Sequence, residues 1–303
     1  MKFDAALPGT LSPVQSRMAD YLQLMRPRLA LLVLATVGAG WLLAAGREPD
    51  GSALAHALIG TALLFAGASA LNQLLERHSD ARMPRTANRP LPAGRLRPVE
   101  VLALGGLLSA GGLAYLLALR QPLAAGLGAF ALVSYVFLYT PLKRRTPLSA
   151  LIGAVPGAVP PLIGWAAARG GVDPLALSLF LIVFLWQLPH FLAIAWIYRD
   201  QYARAGLRVL PVVDPGGVRT GREMTRSTMV LVLASLLPTV LGLGGWLSGV
   251  GTLLLGVGFL HRVHEFARTQ TDQAARQVFR SSLVFLPALL LLFALDTLLT
   301  HGG

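Results

Sequence analysis

Asn72-Gln-Leu-Leu-Glu76-Arg77-His78-Ser-Asp80 lies where a long apolar run meets a block of arginines, and its spacing decides how the chain is read. Asn72, Glu76 and Asp80 recur every four residues, so a helix stacks them along one face over two turns. A carboxamide and two carboxylates at the mouth of a membrane helix present oxygens to Mg²⁺, an ion that proteins hold through one or two carboxylates together with substrate phosphates. Arg77 within it and Arg82, Arg85, Arg89, Arg95 and Arg97 just after it supply forks that match phosphate oxygens. The stretch therefore predicts a metal-diphosphate site at a membrane surface.

The rest of the chain supplies the membrane. Hydrophobic residues make up 54% and charged residues 13% of the sequence, and the mean hydropathy is +0.62, outside the range of an ordinary soluble domain. Segments this apolar and long must be helices, because backbone groups find no water in lipid and the alternation of barrel strands is absent. The predicted fold is all-α, a polytopic bundle of about nine spans at roughly 29–46, 53–75, 98–118, 122–139, 148–167, 174–197, 227–246, 249–266 and 280–299.

Basic residues collect at the amino terminus (Arg17, Arg26, Arg28), after span 2, at Lys143-Arg144-Arg145, between Arg199 and Arg226, and between Arg262 and Arg280. The opposite loops carry only Arg47, Arg120 and Arg169. By the positive-inside rule the amino terminus is cytoplasmic and, after nine spans, the carboxyl terminus is outside. The net charge of +12 thus sits on one membrane face, where it attracts anionic membrane lipids and anionic substrates. No nucleic-acid-binding motif accompanies it, so no nucleic-acid partner is expected. With no cysteine, disulfides, thiolate metal sites and a cysteine nucleophile are excluded. The first 28 residues lack an apolar core of signal-peptide type, so the first span is expected to be the anchor.

Helix starts are marked in the sequence. Thr146-Pro147 and Asp173-Pro174 place a capping side chain before proline, and Pro27, Pro98 and Pro122 open three other spans. Arg89-Pro-Leu-Pro92 after span 2 echoes Arg208-Val-Leu-Pro211 after span 6. The echo suggests two similar four-helix halves around a central cavity, with two long basic loops forming a two-sided diphosphate clamp.

Asn72 to Leu91, with Asn-xxx-Glu-xxx-Asp followed by Arg85-Thr-Ala-Asn-Arg89-Pro-Leu, resembles the first acidic motif of the membrane-embedded UbiA-type prenyltransferases related to the 4-hydroxybenzoate enzyme. Three further stretches resemble the protoheme IX farnesyltransferase (heme O synthase) branch of that superfamily. They are Tyr139-Thr-Pro-Leu-Lys143-Arg-Arg-Thr-Pro-Leu, Ile152-Gly-Ala-Val-Pro-Gly-Ala-Val-Pro-Pro-Leu-Ile-Gly-Trp165 and Trp186-Gln-Leu-Pro-His190-Phe-Leu-Ala-Ile-Ala. Tyr198-Arg-Asp-Gln-Tyr202-Ala-Arg-Ala-Gly206 through Leu210-Pro-Val-Val is similar to its second motif. The sequence departs from the family pattern at Glu76 and Gln201, both often Asp, and at Ser149, often Asn.

The resemblance implies a single prenyltransferase membrane domain over 27–300, preceded by a cytoplasmic segment 1–26, in a bacterial inner membrane. The implied reaction moves a farnesyl group from farnesyl diphosphate to a vinyl group of heme b, with water addition, to give heme O. Asn72, Glu76 and Asp80 are the expected Mg²⁺ ligands, with Asp200 a candidate from the second motif. Arg77, Arg85, Arg89, Lys143, Arg144, Arg199 and Arg208 are candidates for the phosphate oxygens. Tyr198 or Tyr202 could stabilise the allylic cation through a ring face, although interfacial tyrosines also serve as plain membrane anchors. His190, in an apolar span beside Pro189, has two open readings: a heme-iron ligand or propionate partner, or a bond to the backbone carbonyl freed by Pro189. His78, His261 and His264 read as solvated. A downstream heme A synthase is a conceivable partner. A quinone-precursor prenyltransferase is the nearest alternative. A secondary transporter is the more distant one, disfavoured because carriers keep ionisable residues near the midplane.

Overall fold

The computed structural model describes residues 13–45 and 51–301, and its regular structure is entirely helical. Arg47 and Lys2 lie outside the described residues. Two helices, α1 (Pro13–Met25) and α2 (Pro27–Ala44), form one long kinked element, followed by α3 (Gly51–Asp80), α4 (Pro98–Ala118) and α5 (Pro122–Val133). The last passes through a π-helical stretch, Ser134–Tyr139, into α6 (Thr140–Leu142). Next come α7 (Ser149–Ala158), α8 (Pro160–Arg169) and α9 (Pro174–Ile197), then the short α10 (Arg199–Arg204) and α11 (Leu210–Val213). The chain ends with α12 (Val218–Ala234), α13 (Leu237–Val240), α14 (Trp246–Thr269) and α15 (Asp272–His301).

Eight helical elements among the described residues are long and apolar enough to cross a membrane. Seven correspond to single predicted spans, and the first, Arg17–Ala44, is longer than expected because α1 continues into α2. The predicted span at 227–246 is the exception, so the count of nine is not confirmed. Its helix, α12, starts nine residues earlier, in polar sequence, and ends at Ala234. Pro238, Gly242, Gly244 and Gly245 interrupt the apolar run beyond that point. Conversely, α3 runs for 30 residues, beyond the predicted end at 75, and so carries its acids on the membrane helix itself.

Prolines open the helices largely as expected. Pro27, Pro98 and Pro122 occupy first-turn positions, and the Asp173 carboxylate caps α9 by accepting from the Ala176 amide at 3.0 Å. Thr146 does not cap α7, which begins three residues later. Its hydroxyl accepts from the Leu148 amide instead, in a local turn. Between Gly153 and Pro161 the predicted span is two helices, hinged at Val159 before Pro160.

Packing is governed by small residues. On α2 a side chain at Gly40 would run into the Pro161 carbonyl, and one at Gly164 on α8 would run into the Val37 carbonyl. These two helices therefore approach backbone to backbone, as membrane helices do where both offer small residues. The largest core gathers Trp165, Trp196, Phe259, Phe266, Phe285 and Phe293 among α8, α9, α14 and α15. Helix α1 joins the bundle: Leu24 is buried, and its carbonyl accepts from Ser69 Oγ and Gln73 Nε2 of α3.

Candidate functional site

The column on α3 is buried and faces one cavity. Asn72 and Asp80 are each 1% exposed and Glu76 is 8% exposed, and all three line a polar cavity of about 480 Å³ at the end of α3. Glu76 Oε1 lies 3.3 Å from Lys143 Nζ, and Asp80 Oδ2 accepts from Arg89 Nη1 at 2.6 Å. The other oxygen of each carboxylate accepts no hydrogen bond among the described residues. The Asn72 amide group donates to Thr140 Oγ1 at 3.0 Å, which turns its Oδ1 toward the cavity and the Arg26 guanidinium 3.5 Å away. Three oxygens on one helix face are thus available to a hard divalent cation.

Five cationic side chains, Arg26, Arg28, Arg85, Arg89 and Lys143, line the same cavity with the two carboxylates. Three positive charges are left over, which suits a polyanion rather than a bare metal ion. Burial and the nearby Arg26 charge hold the Arg89 guanidinium below its ordinary value, against the pull of Asp80. Burial also works against the Lys143 ammonium, but facing Tyr139 and Glu76 outweigh it and raise its pKa above the ordinary lysine value. Lys143 therefore keeps its charge throughout the physiological pH range.

Two local distortions build this geometry. Arg26 adopts left-handed backbone, φ 49°, before Pro27, a costly conformation for a non-glycine residue. The turn kinks α1 against α2 and brings the Arg26 side chain to Asn72. The π-helical stretch inserts one extra residue per turn, stacks Tyr135 on Tyr139 at 5.5 Å between centroids, and directs Thr140 and Lys143 to the acids. Gly153 makes room for it, because a side chain there would strike the Tyr139 ring. Neither device was expected from the sequence, and Arg26, Arg28, Tyr135, Tyr139 and Thr140 were missed as site residues. The family-like stretch beginning at Tyr139 held the available signal.

Beneath the polar cavity lies an apolar one of about 180 Å³, which shares Arg26, Leu29 and Tyr135 with it and continues along Leu64, Phe65 and Phe191.

The remaining predicted residues are dispersed. Arg85 lines the cavity, lies 4.7 Å over the Tyr198 ring and donates to Tyr202 Oη at 3.4 Å. Tyr202 also lies beneath Lys143, 5.6 Å from its ring centroid. These tyrosines hold the cations, rather than lining the cavity themselves. The two-sided charged clamp is not formed. Arg199 pairs with Asp272 at 2.6 Å and covers Trp196, while Asp200 and Arg208 are exposed and line no part of the cavity. The physical reason is that the segment after Ile197 packs on the first loop by its apolar side, through Tyr202, Leu207 and Val209 against Met83. The Arg208 amide donates to the Lys143 carbonyl, but the Asp200 and Arg208 side chains are on the exposed side. Arg77 donates to the Leu74 carbonyl of its own helix, and Arg144 reaches Ser79 Oγ and the Leu75 carbonyl from outside. Neither lines the cavity. Arg95 ties the loop to α1 through Asp20 at 2.8 Å.

His190 sits on α9 against α15. Its Nδ1 is 2.8 Å from Ser282 Oγ, which itself lies 2.6 Å from the Phe279 carbonyl. Trp186 and Phe279 flank the ring. The imidazole is bonded to Ser282, not to a carbonyl freed by Pro189, and it does not line the polar cavity. His78, His261 and His264 are exposed.

Comparison with known proteins agrees with this geometry. The sequence profile described as "UbiA prenyltransferase family" matches residues 32–291. The chain belongs to the UbiA prenyltransferase family. Among its relatives is a protein from Solibacter usitatus named protoheme IX farnesyltransferase, 46% identical over 288 residues, spanning 92% of this chain and 99% of that protein. A protein of the same name from Opitutus terrae is 42% identical over 292 residues, 96% of this chain and 98% of its own length. A solved UbiA homologue from Archaeoglobus fulgidus bound to GPP and Mg²⁺ shares the fold, with a TM-score of 0.64 at 16% identity over 90% of this chain and 99% of that one. A digeranylgeranylglyceryl phosphate synthase structure gives a TM-score of 0.79 at 18% identity, over 93% of this chain and 99% of that one. This UbiA chain is a multi-pass membrane protein and a prenyltransferase.

Proposed function

We propose that this chain transfers the farnesyl group of farnesyl diphosphate to a vinyl group of heme b, with addition of water, and so makes heme O. The observation that carries the reading is a single cavity holding Asn72, Glu76, Asp80 and five cationic side chains, set directly against an apolar cavity. Relatives up to 47% identical that carry the protoheme IX farnesyltransferase name supply the substrates, and the Mg²⁺ bound with GPP in the Archaeoglobus homologue supports the metal.

Asn72 Oδ1 and the free oxygens of Glu76 and Asp80 are the residues that would hold Mg²⁺, which when bound neutralises the diphosphate leaving group. Arg26, Arg85, Arg89 and Lys143 bind the oxygens on which negative charge grows as the allylic C–O bond breaks and the electron pair departs with diphosphate. The vinyl π electrons then form the new C–C bond, and water adds to the resulting cation and releases a proton. Tyr135 and Tyr139 offer ring faces to the allylic cation, the role first expected of Tyr198 and Tyr202, which instead position Arg85 and Lys143. The apolar cavity keeps water from the cation until the C–C bond has formed. His190 braces α9 on α15 through Ser282.

The reading includes one membrane domain over 27–300, to which α1 adds a packed helix, with the basic end of the bundle cytoplasmic in a bacterial inner membrane. Purified protein supplied with heme b, farnesyl diphosphate and Mg²⁺ is expected to yield a product with the mass of heme O. Prenylation of 4-hydroxybenzoate in place of heme b would overturn the assignment of the acceptor.

A further inference from the structure

A third cavity, of about 380 Å³, opens on the flank of the bundle at the same basic end, between α7, α9 and α12. Its walls include Leu151, Leu188 and Leu192, and its rim carries Arg219, Arg222 and Arg226 from α12. Those arginines are spaced by three and four residues, so the helix presents them on one face. Arg226 is paired with Glu223, also on the rim, at 3.3 Å, whereas Arg219 and Arg222 pair with no carboxylate among the described residues. An apolar pocket of this size with a few convergent charges has the character of a small-ligand site.

The flank cavity and the polar cavity share walls with a common neighbour. A narrow cavity of about 70 Å³ shares Leu192 and Leu210 with the former, and shares Tyr139 and Lys143 with the latter. A polar space that suits diphosphate, an apolar one beyond Tyr135 that suits a prenyl chain and this lateral one are therefore neighbours, with the narrow cavity beside Lys143 lying between the first and the last. The first two account for one substrate and leave the acceptor without a place.

We propose that the cleft between α7, α9 and α12 binds the porphyrin acceptor, with its apolar ring on the leucines and its carboxylates on Arg219, Arg222 and Arg226. The proposal rests on the heme b reading above and assigns that acceptor a site. Two carboxylates on a flat apolar body match unpaired guanidinium groups above a leucine floor. The narrow cavity then directs the edge of the ring toward Tyr139, where the allylic carbon is exposed. His190 takes no part in this site, because it lies about 180° around α9 from the face that carries Leu188 and Leu192.

The test uses the full chain in phosphatidylcholine nanodiscs, with heme b affinity read from the Soret band and heme O formation followed by mass. The triple variant Arg219→Gln/Arg222→Gln/Arg226→Gln is expected to raise both Kd and KM for heme b at least tenfold. Its KM for farnesyl diphosphate and its kcat at saturating heme b should stay within twofold of the native values. Heme b dimethyl ester, whose carboxylates are blocked, should bind the native protein about as weakly as heme b binds the triple variant, and the triple variant should not distinguish ester from acid. Leu151→Trp, which fills the cleft without removing charge, should weaken both acid and ester. An unchanged heme b KM in the triple variant, or equal discrimination against the ester in native and variant protein, would overturn the proposal. So would an effect of the arginines that appears only when phosphatidylglycerol is included, which would make the cleft a lipid-headgroup site. Arginine-dependent heme b binding without heme O formation would sustain the cleft and sink the reaction; heme O formation at native KM in the triple variant would do the reverse.

Discussion

Asp80 and Glu76 each spend one oxygen on a cation and keep the other free, which is how a carboxylate serves both a lysine or arginine and a metal ion. Asp80→Asn and Glu76→Gln are isosteric and remove only charge, so each is expected to lower heme O formation at least a hundredfold while the thermal unfolding midpoint in detergent moves little. Native turnover by either variant at limiting Mg²⁺ would refute the assignment. Asn72→Ala removes a neutral ligand and should cost less. The surplus of positive charge in the cavity makes a second expectation: calorimetry should detect Mg²⁺ binding only when a prenyl diphosphate or pyrophosphate is present, since a bare dication would meet five cationic neighbours. The second basic loop carries the opposite expectation. Asp200 and Arg208 are exposed and outside the cavity, so Asp200→Asn and Arg208→Gln should leave kcat/KM for farnesyl diphosphate within about threefold of native, as surface changes generally do. A severe Asp200→Asn defect would restore the two-sided clamp.

At the scale of elements, the site depends on a phase error built into one helix. The π-helical Ser134–Tyr139 carries one residue more than an α-helical turn would, and this rotates Thr140 and Lys143 onto the acids of α3. Inserting one alanine after Leu138, whose side chain is exposed on the outer face, adds about 100° of helical rotation and would turn Lys143 away from Glu76. The expected result is a protein that still inserts and elutes as a single species but has lost at least a hundredfold in activity; retention of activity would show that the distortion is incidental. The sequence could not reveal this element, since Tyr135 and Tyr139 read equally well on a continuous helix. The acid column was legible because α3 is regular there, so its four-residue spacing translated directly into one face.

The whole molecule is polarised, with the acids and surplus cations of its polar cavity at one end of an apolar bundle. Its lack of cysteine makes the orientation testable by single substitutions. Arg82→Cys and Arg145→Cys should react with a membrane-impermeant maleimide only from the cytoplasmic side, and Arg120→Cys only from the outside. Labelling of all three from one side would reject the topology. Here the sequence was legible in its charge distribution but less so in its span count, because the lipid and protein contacts that decide whether α12 and α13 act as one crossing are tertiary.

Sequence alone determined the membrane class, the all-helical architecture, the family and the Asn72, Glu76 and Asp80 column. Each comes from composition or from a period within one regular helix, where neighbours in space are fixed by spacing along the chain. Tertiary structure alone decided which cations meet those acids. Arg26 reaches them through a strained turn before Pro27, and Lys143 through a π-helical shift. Arg199, Asp200 and Arg208, equally plausible by charge and motif, stand on the outer side of a segment that packs on the first loop by its apolar side chains. Charge type is written residue by residue, but a shared cavity is set by the crossing of helices distant in sequence, and a single left-handed residue or one extra residue in a turn redirects it.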